Sequence, residues 1–175
     1  EEEEGLRSAT SEDADLISKM VKAEKMNPLF LDTENFVVAE SDGEVIGIGQ
    51  IRNNNGYYEL ASLVVEKECR GQGVGTAIVA ELLERHKAKF EKEEVPAVLL
   101  LTLKGTTKFY AQLGFLELPI SMAPMALQME AGAGGLVSKM VTGQDLVAMK
   151  YSFQSSVELS CEKSGTILKK VTKDK

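Results

Sequence analysis

The chain has very few of the residues that build metal and disulfide sites. Its 175 residues include one histidine, His86, and two widely separated cysteines, Cys69 and Cys161. None of these lies at a spacing typical of metal ligands, and two distant cysteines do not make a disulfide framework. We therefore expect a function without a metal, and we expect His86, in the charged stretch ERHKAK, to be a solvated surface residue.

Long apolar runs and an excess of basic residues are also missing. No run approaches the ~20 residues of a membrane-spanning helix. Acidic residues outnumber basic ones by 27 to 20, a net charge of -7. This balance disfavours binding to nucleic acid and suits a cationic partner such as an amine. The first residues, EEEEG, do not resemble a leader, so we expect a cytoplasmic protein, with an organelle or the nucleus left open because a leader can have been removed.

The remaining composition is that of an ordinary globular protein, with 43% hydrophobic and 27% charged residues. The length favours a single domain, residues 1–175. Within it we expect a core at 6–153, an insertion at 119–145 and a disordered tail at 172–175.

The pattern of apolar residues predicts an α/β fold. Helices are expected after Ser11, which reads as an N-cap, from about Gly73, and over Thr106 to Leu113. A hairpin meander followed by strand-helix-strand units implies a mixed, mostly antiparallel central sheet with helices on both faces. The predicted strands are Leu6 to Thr10, Phe36 to Ala39, Val45 to Ile51, Tyr57 to Val65, Ala97 to Leu103, Phe115 to Leu118, Leu146 to Phe153 and, in the tail, Gly165 to Val171.

Three glycines lie close together in the segment Glu68 to Thr76, ECRGQGVGT, between a predicted strand and a predicted helix. Unpaired N–H groups at a helix start, reached through glycines, make a site for a phosphate or pyrophosphate. The spacing fits neither the phosphate loop of kinase-type nucleotide binders nor the dinucleotide fingerprint. A tight turn without a ligand is the alternative.

The neighbouring residues favour a specific donor. Arg70-x-x-Gly73-x-Gly75 resembles the acetyl-CoA signature of the GNAT superfamily of N-acetyltransferases. The segment from Phe109 to Phe115, FYAQLGF, resembles the second signature of that family, and one helix and one strand separate the two motifs, as in the family. Lys67-Glu68-Cys69 stands where many members carry a proline, which bears on the rigidity of the loop.

The resemblance implies a GNAT-type acyl-CoA N-acyltransferase fold with acetyl-CoA as cosubstrate. In such proteins backbone N–H groups of the glycine turn bind the pyrophosphate, and the pantetheine arm pairs with the end of the preceding strand. The strand at Val98 to Leu103 must then splay away, and a backbone N–H nearby can stabilise the oxyanion. The implied cofactor-binding residues are Leu63, Val64, Val65, Arg70, Gly71, Gln72, Gly73, Val74, Gly75, Thr76 and Phe109.

Two residues are candidates for proton transfer. Tyr110 stands where many members place the tyrosine that donates to the leaving sulfur, although it can also be a packing residue. Glu59, 11 residues before Arg70, resembles the base of the histone-acetyltransferase branch. A lone carboxylate in a buried strand has a raised pKa, which suits a base. An exposed strand glutamate, with a water chain as base, is the alternative.

The segment 119–145 is longer than a strand-to-strand connection needs. Met122, Met125 and Met129 share helical spacing, and the glycines at 131–135 predict a flexible joint before a second helical segment. We expect either a flap that covers the acceptor or a helix packed on the core.

We therefore expect an enzyme that transfers acetyl from acetyl-CoA directly to a primary amine of a protein or a small molecule. The amine can belong to a protein lysine, a protein N-terminus or a compound such as a polyamine. A non-catalytic acyl-CoA sensor and a scaffold protein are the alternatives. Because family members often dimerise through their C-terminal strands, the resemblance also allows a homodimer.

Overall fold

A computed structural model describes residues 5–90 and 94–153, with residues 134–141 described by their backbone alone. Its strands form one seven-stranded sheet in the order β1-β2-β3-β4-β5-β7-β6. Only β4 and β5 pair in parallel, so the expected mixed, mostly antiparallel sheet is confirmed. The elements are β1 (Gly5–Ser8), α1 (Ala14–Ala23), β2 (Phe36–Ser41), β3 (Glu44–Asn54), β4 (Tyr57–Val65), α2 (Val74–Ala88), β5 (Val98–Leu103), α3 (Thr107–Gln112), β6 (Leu116–Leu118), α4 (Met125–Thr142) and β7 (Leu146–Tyr151).

The tail predictions fall outside this range. The strand expected at Gly165 to Val171, the disordered end at 172–175 and Cys161 all lie beyond the described residues. In the part of the chain that is described, no helix combines the length and the apolar character needed to cross a membrane.

Helices cover both faces of the sheet. On one face α2 packs through Ile78 and Leu82 against Ile51 and Leu60. The approach is close because β3 offers glycine there: a Cβ on Gly47 would lie 2.8 Å from Ile78 Cδ1.

The opposite face carries α1 at one end and α4 at the other. Ile17 and Val21 of α1 pack on Ile48 of β3, whereas Leu127 of α4 packs on Leu99 of β5. Between these two helices, the middle of the sheet is left for other side chains.

The first helix begins differently from the prediction. Thr10, and not Ser11, is the N-cap of the 3-10 turn Ser11–Asp13 that leads into α1. Asp13 Oδ2 accepts a hydrogen bond from the Thr10 backbone N–H at 2.7 Å. The prediction for Ser11 is wrong because the carboxylate of Asp13, held by Arg7, fixes the turn one residue earlier.

His86 is buried, which corrects the expectation of a solvated residue. Only 2% of it is exposed, and its Nε2–H donates to the Pro96 carbonyl oxygen at 2.9 Å. Burial lowers its pKa. Its charged neighbours suggested a surface position, but residue 86 lies two helical turns after Ile78 and one turn after Leu82, on the face that packs against the sheet.

The insertion is one helix and not two. α4 runs through the glycines at 131–135 without a break, so the predicted flexible joint is wrong. A glycine in a helix costs only about 1 kcal/mol, which packing can outweigh. Leu127 is fully buried in a cluster with Leu99, so the alternative of a helix packed on the core is confirmed. Met125 and Met129, each 70% exposed, take no part in that packing.

Candidate functional site

The glycine turn forms the entrance to α2. Gly71 and Gly73 have φ angles of +75° and +89°, which side-chain-bearing residues adopt only with strain. Gly73 immediately precedes the first helical residue, Val74. The turn therefore presents the unpaired N–H groups of a helix start, with open space where side chains on Gly71 and Gly73 would stand, the geometry of an anion site.

Arg70 anchors this turn to its surroundings. Its Nε donates to the Val65 carbonyl oxygen at 2.8 Å, and its Nη2 pairs with Glu24 Oε1 at 2.8 Å. The guanidinium thus ties the turn to the end of β4 and to the residue after α1. The Val65 carbonyl keeps only one lone pair for any further donor.

The second signature lies against the first. A Cβ on Gly75 would lie 3.4 Å from Phe109 Cζ, in ordinary contact. The structure therefore brings Phe109 of α3 next to the start of α2, although 34 positions separate the two residues in the sequence.

Strands β4 and β5 separate in front of the turn. They pair only at Tyr58–Val98 and Glu59–Leu99, while β5 continues to pair with β7 as far as Leu103. The expected splay is therefore present. Residues 60–65 of β4 have no partner in β5, which leaves their backbone groups on that edge open to an extended ligand.

A bulge lies at this open edge. Ile48 pairs with Val64, and Gln50 pairs with Ala61. Two residues of β4, Ser62 and Leu63, therefore lie opposite the single residue Gly49 of β3. Ser62 has a φ of +54°. Such a bulge redirects backbone groups and is common beside binding sites.

Tyr110 of α3 lies on the face of the sheet that α2 covers, next to Thr102 of β5. Burial raises the pKa of its hydroxyl to about 12, and a hydrogen bond with Thr102 of β5 lowers it to a smaller extent. Its ring packs edge-on against Phe109 and Phe115, with centroids 4.9 and 5.9 Å away. The hydroxyl stays protonated at neutral pH and can donate a hydrogen bond.

Glu59 lies on the other face of the sheet and is 3% exposed. Its Oε2 accepts hydrogen bonds from Arg52 Nε at 3.1 Å, Arg52 Nη2 at 2.9 Å and Asn54 Nδ2 at 3.1 Å. The premise of a lone carboxylate is therefore wrong, and so is the alternative of an exposed one. Pairing with Arg52 offsets the cost of burying its charge.

Glu59 belongs to a larger set of polar side chains in the gap between α1 and α4. We call this set the polar cluster; its members are Gln50, Arg52, Asn54, Tyr57, Glu59 and Glu130. Sequence reasoning named only Glu59. The alternation of Gln50, Arg52 and Asn54 along an otherwise apolar strand was a readable signal, whereas nothing in the sequence predicted that Glu130 would reach the sheet.

Burial, together with charge interactions within the polar cluster, shifts the pKa values of two groups. The pKa of Glu130 is raised, first by burial and then by the charge of Glu59, while Arg52 opposes the rise. Burial, assisted by the same two carboxylates, raises the pKa of Tyr57 to about 12. Glu130 Oε1 lies 4.0 Å from Arg52 Nη2, so α4 adds a second carboxylate to one guanidinium.

Comparison with known proteins is consistent with this geometry. The family model described as acetyltransferase (GNAT) domain matches residues 32–117, a range that runs from before β2 to β6 and holds Glu59, the glycine turn and Tyr110. An uncharacterized N-acetyltransferase of Methanocaldococcus jannaschii is 49% identical over 49 residues, which is 27% of this chain and 30% of that protein.

Solved structures share the fold. N-acetylglutamate synthase from Neisseria gonorrhoeae, in complex with coenzyme A and N-acetyl-glutamate, superposes with a TM-score of 0.68 at 16% identity, covering 89% of this chain and 36% of that one. A Mycobacterium tuberculosis protein in complex with CoA gives 0.65 at 21% identity, covering 86% and 99%.

The chain thus spans about a third of the length of the archaeal relative and of the Neisseria enzyme. The family match includes both signature motifs, and the sheet has the topology of the solved relatives. The comparisons therefore assign residues 32–117 to the acetyltransferase (GNAT) domain family.

Proposed function

We propose that this chain transfers the acetyl group of acetyl-CoA to a primary amine. The observation that carries the proposal is the juxtaposition of the glycine turn, at the start of α2, with the opening between β4 and β5. A pyrophosphate on the turn leaves the extended pantetheine arm directed along the free edge of β4. Complexes of two relatives with CoA support this donor.

The donor site uses mostly backbone groups. N–H groups between Arg70 and Thr76 would bind the pyrophosphate, and the free edge of Leu63 to Val65 would pair with the pantetheine amides. Phe109 packs behind the turn at Gly75. Because Arg70 is bound to Val65 and Glu24, we assign it the task of holding the turn in place.

An acyl group in the opening would be reachable from both faces of the sheet. Tyr110 packs with the cluster under α2, whereas Glu59 lies on the face of α1 and α4. This separation suits two proton transfers that occur on opposite sides of one carbonyl carbon.

The chemistry then balances as follows. An ammonium acceptor gives one proton to Glu59, and its nitrogen attacks the thioester carbonyl carbon. A backbone N–H near the Ser62 bulge donates to the oxyanion. As the C–S bond breaks, the sulfur receives a proton from Tyr110; the acetylated nitrogen releases its second proton to solvent, and Tyr110 regains one from solvent. The products are an N-substituted acetamide, CoA thiol and the proton held by Glu59.

The proposal is tested by measuring CoA release from acetyl-CoA in the presence of a panel of primary amines. We expect amine-dependent release, and we expect Tyr110→Phe to lower kcat about 10- to 100-fold because the leaving sulfur loses its donor. Tyr151→Phe is the matched control, since Tyr151 packs in the same aromatic cluster on β7; it should leave kcat within about twofold.

Two outcomes would contradict the proposal. Binding of acetyl-CoA without release by any amine, together with no effect of Tyr110→Phe, would instead favour a non-catalytic acyl-CoA sensor. Absence of any CoA binding would favour a scaffold protein.

A further inference from the structure

The polar cluster fills the gap between α1 and α4 and has a definite charge balance. It brings two carboxylates from different elements, Glu59 of β4 and Glu130 of α4, to one guanidinium, Arg52. Counting these three groups as ionised, the cluster carries one negative charge in excess. Glu130 carries this excess on a side chain that is 34% exposed, so a cation from solvent can reach it.

Arg52 has little capacity left for another anion. Its Nε and Nη2 donate to Glu59, its Nη1 donates to the Leu29 carbonyl oxygen at 3.4 Å, and its guanidinium lies 5.5 Å from the centre of the Phe30 ring. Only 7% of the residue is exposed. A substrate carboxylate would have to break a buried ion pair in order to reach it.

A buried hydrogen-bond acceptor in the same cluster lacks a donor. Gln50 is 0% exposed, and its Oε1 has no partner among the described residues. Its Nε2 donates to the Phe30 carbonyl oxygen at 3.3 Å and to Ser62 Oγ at 3.2 Å. The Phe30 carbonyl can only accept a hydrogen bond, so it fixes the orientation of the amide, and turning the amide over would place Oε1 against that carbonyl.

The cluster therefore has surplus acceptors and a surplus negative charge. The ligand that satisfies both is a cation rich in N–H groups, and a primary ammonium has three of them. An α-amino acid would bring a carboxylate as well, directly beside the amine, and the described cluster offers no free cation to receive it.

We propose that the acetyl acceptor is a primary alkylammonium whose amine-bearing carbon carries no carboxylate, and that Glu130 together with Glu59 binds it. This inference rests on the proposed acetyl transfer. It separates the chain from the Neisseria relative, whose structure contains N-acetyl-glutamate. The insertion 119–145 contributes to acceptor selection through Glu130, while Arg52 positions Glu59.

The ammonium group can come from a lysine side chain or from a free diamine. Pentane-1,5-diamine represents the diamine, and Nα-acetyl-lysine amide represents the lysine side chain. Glutamate and alanine are the comparison substrates. We expect kcat/KM to be at least about tenfold higher for the better of the two alkylamines than for either amino acid, a difference within the range of one charged contact.

Glu130→Gln tests the named contact. We expect it to raise the KM for the alkylamine about tenfold or more, with kcat within about threefold and the KM for acetyl-CoA unchanged, because Glu130 binds the ammonium group and is not the base. Glu130→Asp should recover part of the loss. Glu117→Gln, on exposed β6 and paired with Lys104, is the matched control and should change none of these constants.

Equilibrium binding keeps this inference separate from the proposed reaction. Pentane-1,5-diamine is titrated into the CoA-bound protein, where no acetyl group is available, with the wild type and Glu130→Gln compared. Binding that Glu130→Gln weakens supports the acceptor class even if no transfer is seen. Preferential acetylation of glutamate or alanine, no diamine binding, or a Glu130→Gln variant indistinguishable from wild type would each overturn it.

Discussion

At the scale of single residues, the pair Arg7 and Asp13 joins three elements. Its carboxylate accepts hydrogen bonds from Arg7 of β1 at 2.8 and 3.0 Å and from the backbone of Thr10 at the start of α1. Arg7 also donates to Glu40 of β2 at 2.6 Å. The pKa of Asp13 is lowered from 3.8 to about 2, and the hydrogen bonds from Arg7 are the largest cause of this shift.

This lowered pKa predicts a pH-dependent contribution to stability. A carboxyl group whose pKa is lower in the folded state stabilises the fold above pH ~4, and the contribution disappears as the pH falls toward ~2. Arg7→Met should lower the free energy of unfolding by about 1 kcal/mol at pH 7, a value kept small because solvent screens the half-exposed Arg7.

Urea unfolding at several pH values measures this effect. The difference between wild type and Arg7→Met should shrink as the pH is lowered from 4 to 2. Lys19→Met, which removes an exposed charge on α1, is the control and should show no such trend. A difference that stays constant over this range would contradict the assigned role of Asp13.

Individual residues also show how far the sequence predicts the site. Glu59 and Tyr110 could be named as candidates because Glu59 stands 11 residues before Arg70 of the first motif and Tyr110 lies within the second. The ion pair between Glu59 and Arg52 was not predicted, because it depends on the register between β3 and β4, which places the two residues opposite each other. The burial of His86 required knowledge of which helix face meets the sheet.

At the scale of elements, the glycine turn and α4 use the same residue type for opposite reasons. Gly73 adopts a φ of +89° just before α2, where a side chain strains the backbone. Gly132 lies inside α4, where the helical conformation does not require glycine and an alanine would lose less conformational entropy on folding. At neither position would a Cβ meet another atom within 4 Å, so the two sites differ in conformation only.

Alanine substitution at these two positions should therefore have effects of opposite sign. Gly73→Ala should lower the free energy of unfolding by about 1–2 kcal/mol and weaken CoA binding, because the N–H groups of the turn shift. Gly132→Ala should raise it by about 0.5–1 kcal/mol and leave CoA binding unchanged. Urea unfolding and calorimetric titration with CoA measure both. Equal CoA affinity in the two variants would contradict an anion site at the turn.

Elements were predictable to different degrees. The strands β2 to β5 and the helix α2 follow from strong apolar periodicity and clear turn residues. The single helix α4 did not, because its glycines suggested a joint, and the contact of Leu127 with the sheet, which helps to hold it, is a tertiary interaction. Intrinsic propensity is a weak guide where packing decides.

At the scale of the whole molecule, the proposed acetyl transfer depends on the opening between two strands of the sheet. Between β4 and β5 the strands part in front of the glycine turn, with Tyr110 on one face and the polar cluster on the other. The proposed cosubstrate, acetyl-CoA, follows from the resemblance of two sequence motifs to the GNAT signatures. The acceptor class was not predictable in this way, because it depends on charges that come together from β3, β4 and α4.

The most direct measurement is mass spectrometry of a reaction between acetyl-CoA that carries a deuterated acetyl group and pentane-1,5-diamine. The account predicts a diamine that gains the labelled acetyl group on nitrogen, with one CoA thiol released for each acetamide formed. CoA bound without labelled acetamide, or thiol released with the label recovered only as acetate, would contradict it.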